Sequence, residues 1–545
     1  MSLLNSSHIH SWNQVLQEVD YELLNVDCHS SFLSLFECCC DVAVSDGQFF
    51  KKMFPYIPTS FYPALMKSAL KNGNLPSIHI LLNVWSDPIF CLSSLVKPVY
   101  PHIRGIYDET NHLYLQQQQM YTSALINSFM NYLSNYSKLS KSKLRILDLQ
   151  GFPIGDDKIY YIIKVILLSC GIREEKINYF MGKENLLHYG ESRNYYYQND
   201  CPFNVRCKTK LDFNLILDNQ PKIPSFPYKI KIDGIISKTS ELVLYMLQST
   251  EVRASPLKLE FCKVGLSGLF IDSLQSLLNS LQTYILKGLS LSYASLTNEG
   301  IKMVSHNLVL FFNLTSLDLS YNSINLSSSS NVQWLLCDMF KSFQYLERLN
   351  LSNNRLTGYL KMILFHVGDS RVKETDSVVI HNDEENKHSK RHRCYSQGLQ
   401  YLNVSGCRLN REDIEYLAES HHISTLKELD ISDNNFNHSI KSIEKLLKAL
   451  KNTIYILEME GCRFSSQQLL GLTKILSTFS NLSYLNYARQ KLIACREINE
   501  QLNFLQLIDS LKVIRLSYPT IDEEPQENEA TEIRKTFCNK KIIWV

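Results

Sequence analysis

The sequence predicts a leucine-rich-repeat solenoid: an α/β horseshoe with parallel strands on its concave face and helices on its convex face, preceded by a helical N-terminal region. Three observations predict this fold. A leucine pattern recurs along the chain, its later copies are evenly spaced, and a stretch with the apolar periodicity of an amphipathic helix follows the copies.

The leucine pattern is L-x-x-L-x-L-x-x-N/C-x-L, which is the signature of leucine-rich repeats. Its clearest copies begin at Leu314, Leu346, Leu399, Leu426, Ile454 and Leu482. The last three intervals between these copies are 27, 28 and 28 residues. Intervals of this length are typical of repeats that carry a full helix opposite the strand.

Weaker copies of the pattern extend the array in both directions. They begin at Leu286 and Leu511, with a further copy around Leu257 and Leu259 and an isolated early unit at Leu144. We therefore expect the solenoid to begin near Leu144.

The copies divide the chain into three predicted regions. Residues 1–140 form a helical N-terminal region, 141–253 hold a divergent first repeat and an irregular tyrosine-rich stretch, and 254–545 form the repeat array. Between the second and third clear copies the interval rises to 53 residues, and the excess at about 369–397 is charged and nearly free of large apolar residues. Such a composition is typical of a disordered, exposed insertion.

Each recurring letter of the pattern has a physical role. The aliphatic letters should point inward, and each buried side chain contributes roughly 1.5 to 3 kcal/mol. The ninth letter falls where the chain turns out of the strand, so its amide or thiol can satisfy backbone groups that are otherwise buried without a partner. It is asparagine or cysteine at Asn322, Asn354, Asn434, Cys262, Cys407 and Cys462. We expect these cysteines to be structural thiols rather than metal ligands or nucleophiles.

The strand letters that face away from the core differ from repeat to repeat. A rigid strand face with varied side chains suits a protein ligand, although the same residues could simply be solvated. The residues predicted to form this concave client-binding face are Asp318, Arg348, Tyr401, Asn403, Glu428, Asp430, Glu458 and Tyr484.

The composition argues against several classes of protein. Lys and Arg total 56 against 54 Asp and Glu, which provides no basic field for nucleic acid. No export signal and no run of apolar residues long enough for a bilayer is present, so we expect a cytoplasmic protein that binds no membrane. The basic run at 387–393 leaves nuclear import open, and the 15 cysteines are expected to be reduced.

The sequence carries no motif for catalysis or for a cofactor. Phosphate-binding glycine loops, the serine-hydrolase elbow and the zinc-protease motif do not occur. Three adjacent cysteines, Cys38 to Cys40, cannot easily converge on one tetrahedral metal ion. We therefore expect a protein that is not an enzyme, with no catalytic residues, no metal and no cofactor.

Several stretches of the chain resemble the PRAME family. They include LRILDLQG at 144–151, LKLEFCKVGL at 257–266, LQYLNVSGCRLNREDIEYLAES at 399–420 and QQLLGLTKILSTFSNLSYLNY at 467–487. The resemblance implies leucine-rich-repeat proteins, of which several are substrate receptors of cullin-2 ubiquitin ligases through elongin B and elongin C. One relative is known as a negative regulator of NF-κB signalling through the IκB kinase complex.

Receptors of this kind dock elongin C with a short helix of the form S/T/P-L-x-x-x-C-x-x-x-A/I/L/V. Ser34, Leu35, Cys39 and Ala43 fit every defined position of this elongin-docking form. The last three are four residues apart, so on a helix they form one narrow stripe that suits a hydrophobic groove. The alternative is that the stripe belongs to ordinary helix core.

A second segment lies about fourteen residues downstream. Ile57, Pro58, Phe61 and Leu65 match an apolar-Pro-x-x-apolar-x-x-x-apolar form similar to a cullin-2 box. The form is loose by itself, but it falls in the order and place that the family resemblance implies.

We therefore predict a noncatalytic adaptor of a cullin-2/elongin B/C ubiquitin ligase that brings an unknown client protein to the transfer enzyme for proteasomal degradation. The alternative is a signalling scaffold or inhibitor that acts by occupancy, binding an IκB kinase subunit and thereby restraining NF-κB signalling. Stretches 152–250 and 369–397 depart from the family pattern, so they leave the identity of the partner open.

Overall fold

The computed structural model describes residues 34–96, 109–134, 143–180, 227–237, 239–266, 268–328, 330–367, 398–490, 495–517 and 541–544. These residues fall into two compact units, of which the first ends at Ser290 and the second begins at Leu291. The insertion predicted at 369–397, with its basic run, lies outside the described residues.

The described part of the first unit contains five strands in one parallel sheet, and each pairs with the next in the chain. The strands are β1 (Ile89–Cys91), β2 (Ile146–Asp148), β3 (Tyr228–Ile236), β4 (Leu257–Leu266) and β5 (Gly288–Ser290). Central apolar residues such as Phe90, Leu147 and Ile230 stand beside one another and are fully buried. The stack of strands thus begins at β1, earlier in the chain than the sequence predicted.

The described part of the first unit also contains helices. They are α1 (Leu35–Ser45), α2 (Gly47–Met53), α3 (Tyr62–Lys71), α4 (Leu75–Leu82), α5 (Leu92–Leu95), α6 (Glu109–Ser134), α7 (Asp156–Ser169), α8 (Ser240–Gln248), α9 (Thr250–Ala254) and α10 (Ile271–Ser280). Polar side chains begin several of them: Asp46 accepts from two amides of α2, and Asn74 accepts from the Ser77 amide of α4. In the predicted region 141–253 the described elements include α7, β3 and α8, and the tyrosine-rich run within 181–226 lies outside the described residues.

The described part of the second unit contains eight strands, again all parallel. They are β6 (Ser316–Asp318), β7 (Arg348–Asn350), β8 (Tyr401–Asn403), β9 (Glu428–Asp430), β10 (Ile456–Glu458), β11 (Tyr484–Asn486), β12 (Val513–Leu516) and β13 (Lys541–Trp544). The fourth letter of each repeat pairs with the same letter of the next, as Leu317 does with Leu349, and Leu402 with Leu429. These side chains are buried, so the predicted core of stacked leucines is confirmed.

A helix follows most strands of the second unit. The helices are α11 (Asn298–Leu308), α12 (Ser330–Ser342), α13 (Leu360–Leu364), α14 (Arg411–Glu419), α15 (Ile440–Leu450), α16 (Ser466–Leu476) and α17 (Cys495–Leu505). In α15 the buried residues Ile443, Leu446, Leu447 and Leu450 are three and four apart, which places them on one helical face. The strand-turn-helix repeat confirms the predicted α/β leucine-rich-repeat class.

Asparagine at the ninth letter links neighbouring repeats, as predicted. The Asn434 amide nitrogen donates to the carbonyls of Val404 and Ile431 at 3.0 and 2.9 Å, and its oxygen accepts from the Leu409 amide at 3.0 Å. Asn322 and Asn354 repeat this arrangement. Each asparagine therefore satisfies buried backbone groups of two successive repeats.

Cys407 and Cys462 occupy the same position, but here the side chain and the backbone carbonyl share the hydrogen bonds that an asparagine side chain makes alone. The Cys407 thiol donates to the carbonyl of Leu351 in the preceding repeat at 3.1 Å, while the Cys407 backbone carbonyl accepts from the Leu356 amide at 3.1 Å. Burial raises the pKa of the Cys407 thiol to about 12. This thiol therefore stays protonated at neutral pH, which supports the structural interpretation.

Cys262 does not occupy this position, contrary to the prediction. The register of β3 and β4 pairs Ile232 with Phe261 and Asp233 with Lys263, so Cys262 is the extra residue of a β-bulge inside β4. Beyond the bulge it is Val264, rather than Leu257, that pairs with Leu289, the fourth letter of the next repeat. The sequence pattern gave the wrong frame because β4 is ten residues long and largely apolar throughout, so the leucine pattern also fits its first half.

The turn after each strand uses left-handed backbone at the eighth letter, a feature the sequence analysis missed. Residues at this position with positive φ are Gly151, Tyr293, Tyr321, Asn353, Gly406, Asp433, Gly461 and Arg489. Glycine, asparagine and aspartate are the residues that adopt this conformation most easily. Their recurrence just before the ninth letter was therefore a usable signal.

Candidate functional site

The helix that carries the elongin-docking form begins at the first residue of that form. Ser34 is the N-cap of α1: its hydroxyl accepts from the Glu37 amide at 3.2 Å, and the Glu37 carboxylate accepts from the Ser34 amide at 3.0 Å. These two hydrogen bonds are a capping box, and the one from the Ser34 amide is the main cause of a lowered Glu37 pKa. The sequence therefore fixes where the helix starts.

The predicted stripe of α1 is on the exposed side of the helix. Leu35 is 83 % exposed, Cys39 is exposed and Ala43 is half-buried. The buried side of α1 is formed instead by Cys40 and Val44. The stripe is therefore not ordinary helix core, which was the alternative explanation of the pattern.

Val42 enlarges this exposed surface, and the sequence analysis missed it. Its side chain is 71 % exposed and lies seven residues after Leu35, which is two turns along the same face. We call Leu35, Cys39, Val42 and Ala43 the α1 stripe. Spacing alone could have identified Val42, because positions three, four and seven residues apart share one side of a helix.

Two flanks of α1, at Phe36 and at Asp41, contact the segment that carries the cullin-box-like residues and the helix α3. The Phe36 ring lies 5.5 Å from the Phe61 ring, measured between ring centres. The Asp41 carboxylate accepts from the Ser68 hydroxyl and pairs with the Lys71 ammonium group at 3.5 Å. The hydrogen bond from Ser68 is the main cause of a lowered Asp41 pKa.

The cullin-box-like residues differ in exposure. Leu65 lies in α3 and is buried, so its first role is in the core. Pro58 and Phe61 are exposed, and Ile57 is half-buried, in the short turns that lead into α3. The structure therefore brings the two predicted docking segments together, with Phe36 and Phe61 in contact between them.

The eight residues predicted to bind a client lie at two corresponding positions of neighbouring strands. Arg348, Tyr401 and Glu428 stand side by side at the first position, and Asn403 is paired with Asp430 at the third. Asp318, Glu458 and Tyr484 occupy the same positions in β6, β10 and β11. The eight residues therefore do share one face of the sheet in the second unit, which we call the strand face.

The strand face is buried, which differs from the expectation of a surface open to solvent. All eight side chains are buried, and Arg348 is the most exposed of them at 6 %. The Arg348 guanidinium lies 3.3 Å from the Glu428 carboxylate and 4.5 Å from the centre of the Tyr401 ring. Burial raises the pKa of Tyr401 well above its ordinary value, and the negative charge of Glu428 raises it further.

The physical reason lies in the spacing of the strands. Neighbouring strands are only about 4.8 Å apart, so residues at equal positions form pairs with each other rather than with water. An arginine between a carboxylate and an aromatic ring is satisfied on both sides. A client-binding role for these residues stays a prediction.

The three adjacent cysteines do not form a metal site in the described residues. Cys38 and Cys39 are exposed, whereas Cys40 is buried on the other side of α1. Within the described ranges no cluster of three His, Cys, Asp or Glu side chains is placed to hold a metal ion.

Comparisons with known proteins connect this architecture to a family. The PRAME C-terminal domain matches residues 381–520, and leucine-rich repeats match 313–335 and 345–366. Leucine-rich repeat-containing protein 14 of Mus musculus is 22 % identical over 438 residues, covering 79 % of this chain and 76 % of that protein. The Xenopus laevis protein of the same name is 21 % identical over 471 residues, covering 83 % and 81 %. The resemblance to the PRAME family is confirmed.

Similarity to the PRAME family is also visible in a shorter match. PRAME family member 8 of Homo sapiens is 29 % identical over 96 residues, which is 17 % of this chain and 20 % of that protein. Leucine-rich-repeat proteins of this kind are typically noncatalytic protein-interaction modules. Among the helices that the structure describes, none has the length and apolarity needed to cross a bilayer.

Proposed function

We propose that this protein is a noncatalytic substrate adaptor of a cullin-2 ubiquitin ligase, and that α1 docks elongin C. One observation carries the proposal: an apolar stripe that fits the elongin-docking form is exposed on a helix whose other side is anchored to the fold. Leu35 is 83 % exposed and Val42 is 71 % exposed on a helix of only 11 residues. Exposed leucine and valine on one narrow face are typical of a helix laid in a partner's groove.

The packing of α1 supports this role. Cys40 and Val44 hold the inner face of the helix, and the pairs of Asp41 with Ser68 and Lys71 hold its side to α3. A partner therefore meets a helix that is already formed and fixed, so little conformational entropy is lost on binding. Burial of the Leu35 side chain in a groove then contributes roughly 1.5 to 3 kcal/mol.

The neighbouring segment supports the choice of a cullin. Pro58 and Phe61 are exposed directly beside α1, and the Phe61 ring lies 5.5 Å from that of Phe36. A complex that covers α1 would therefore extend onto this segment without a large gap. We propose that Pro58 and Phe61 contact the cullin that accompanies elongin C.

The proposed mechanism is proximity. The adaptor holds a client beside the charged transfer enzyme, which raises the effective concentration of the client's lysines without chemistry in this chain. The proposal assigns the protein to the cytoplasm, where reducing conditions keep Cys39 as a thiol in the docking surface.

The test is co-purification of elongins B and C with the full-length protein from cells. Leu35→Lys should abolish their recovery, because it places a charge in the proposed apolar contact. Ser45→Lys is the matched control: it adds the same charge to an exposed position of the same helix, outside the stripe. The control should retain both elongins, and circular dichroism should show all three proteins equally folded.

Two outcomes would contradict the proposal. Failure of the unaltered protein to recover elongins would exclude ligase docking through α1. Equal recovery by Leu35→Lys and the unaltered protein would exclude the α1 stripe as the contact. Recovery of an IκB kinase subunit instead, independent of Leu35, would favour the inhibitor that acts by occupancy.

A further inference from the structure

A cavity of about 380 Å³ opens along the turns that follow the strands of the second unit. It spans the repeats that begin at Leu399, Leu426, Ile454 and Leu482. We call it the arginine notch. Its charged lining consists of Arg408, Asp433, Arg463 and Arg489.

A glycine makes room for the notch. Gly461 has a φ of +67°, and a Cβ built on it would stand 2.5 Å from the Asp433 carboxylate. The Arg489 side chain of the next repeat reaches across this gap, and its guanidinium lies 3.2 Å from the Asp433 carboxylate and 3.2 Å from that of Glu460. Arg489, one of the arginines that line the notch, is therefore neutralised by two carboxylates.

The other two arginines of the notch have no ion-pair partner among the described residues. Arg408 and Arg463 are both exposed, and neither forms an ion pair with any residue that the structure describes. The notch and its ion-pair partners hold four arginines (Arg408, Arg463, Arg489 and Arg515) and two carboxylates (Asp433 and Glu460), so their net charge is +2. The notch therefore offers two free guanidiniums beside the neutralised Arg489, which is an arrangement that attracts an anion.

The repeat itself does not require arginine at these two positions. Arg408 and Arg463 stand at the tenth letter and have left-handed backbone, with φ of 56° and 64°. At the same letter of earlier repeats, Ser295 and Ser323 adopt the same conformation. Left-handed backbone costs a residue with a side chain roughly 1 to 2 kcal/mol, and within the described ranges neither arginine side chain forms a hydrogen bond or ion pair that offsets this cost.

We propose that the arginine notch binds a phosphorylated serine or threonine in an extended segment of a partner protein. A phosphate monoester carries close to two negative charges at neutral pH, which matches the net charge of the notch, whereas a carboxylate carries one. Guanidinium groups hold phosphate through paired hydrogen bonds. The site lies along an exposed turn edge, so a peptide can continue on both sides of the phosphate. This proposal does not depend on elongin docking.

The test uses the full-length protein and three peptide libraries with the same randomised flanks. The central residue is phosphoserine in the first library, serine in the second and glutamate in the third. We expect retention of the first library alone. The double variant Arg408→Ala with Arg463→Ala should reduce that retention by roughly tenfold or more, since two charge-assisted contacts are lost.

The matched control is Lys441→Ala with Lys448→Ala in α15. Both lysines are exposed and lie in the same unit, and the change removes the same two positive charges. The control should retain the phosphoserine library in full, and both double variants should keep the unfolding midpoint of the unaltered protein.

Four results would overturn the proposal. Equal retention of phosphoserine and glutamate libraries would show a general surface for acidic peptides. An equal loss in the lysine control would show that net charge alone drives retention. Inorganic phosphate that binds as tightly as the best phosphopeptide would show a site for a free anion; no retention of any library would exclude the site.

Discussion

Asparagine and cysteine both occur at the ninth letter, so we expect Asn434→Ala and Asn434→Cys to lower the stability of the protein by different amounts. Asn434→Ala removes the bonds that the two amide protons donate to Val404 at 3.0 Å, Ile431 at 2.9 Å and Ser432 at 3.1 Å, and one accepted bond from Leu409 at 3.0 Å. Asn434 is only 1 % exposed, so water does not replace them. At about 1 kcal/mol for each of the two donated protons and for the accepted bond, the free energy of unfolding should fall by about 3 kcal/mol.

Asn434→Cys should cost much less. In the repeat of Cys407, the thiol keeps the bond to Leu351 of the preceding strand, and the cysteine's own backbone carbonyl accepts from Leu356. If the repeat of Asn434 adopts the same arrangement, only the bond to the Ile431 carbonyl is lost, at about 1 kcal/mol.

The assay is urea unfolding followed by far-ultraviolet circular dichroism, with hydrogen exchange at the Leu409 amide as the local readout. Leu409 should lose most protection in Asn434→Ala and regain part of it in Asn434→Cys. A cysteine variant as unstable as the alanine variant would refute the reasoning. The position would then require an amide, and the two natural cysteines would need another explanation.

Arg348→Ala should lower the stability of the second unit by about 3 to 5 kcal/mol, because Glu428 stays buried after losing its partner at 3.3 Å; an unchanged thermal midpoint would contradict this. Burial raises the pKa of Cys407 to about 12 and that of Cys462 well above its ordinary value. Both thiols should therefore resist iodoacetamide until urea unfolds the chain, and peptide mapping of labelled protein checks it. The hydrogen bond from the Ser68 hydroxyl of α3 lowers the pKa of Asp41. The stability that this hydrogen bond provides is therefore present above the ordinary aspartate pKa of about 3.9, and it is lost as the pH falls through the lowered pKa. In Asp41→Asn the urea midpoint of unfolding should fall less steeply as the pH is lowered. If the midpoint falls as steeply as in the unaltered protein, the loss of stability in acid belongs to other groups.

Local rules in the sequence predicted much of the docking helix. Ser34 followed by Glu37 is a capping box, and the spacing of Leu35, Cys39 and Ala43 placed them on one face. Periodicity could not say whether that face is buried, because Cys40 and Val44 form an equally apolar stripe on the other side. Packing against α3 decided between the two stripes.

The strand face shows where the sequence was insufficient. The repeat pattern correctly put Arg348, Tyr401 and Glu428 at equal positions of adjacent strands. It gave no information on exposure, because the distance between Arg348 and Glu428 in sequence is 80 residues and their ion pair exists only after the strands are stacked. The arginine notch could not be predicted from the sequence for the same reason, because its side chains come from four successive turns.

The sequence by itself determined the class of fold, since leucines at fixed intervals leave only a stack of parallel strands in which every repeat can bury its apolar letters. It also determined the hydrogen-bonding role of the ninth letter, because one side chain meets the same backbone groups in every repeat. Tertiary structure alone decided which stripe of α1 faces solvent, that Cys262 is a bulge residue, and that the strand face is buried, with Arg348 paired to Glu428. These outcomes depend on contacts between residues far apart in the chain, and such contacts leave no local periodicity to read.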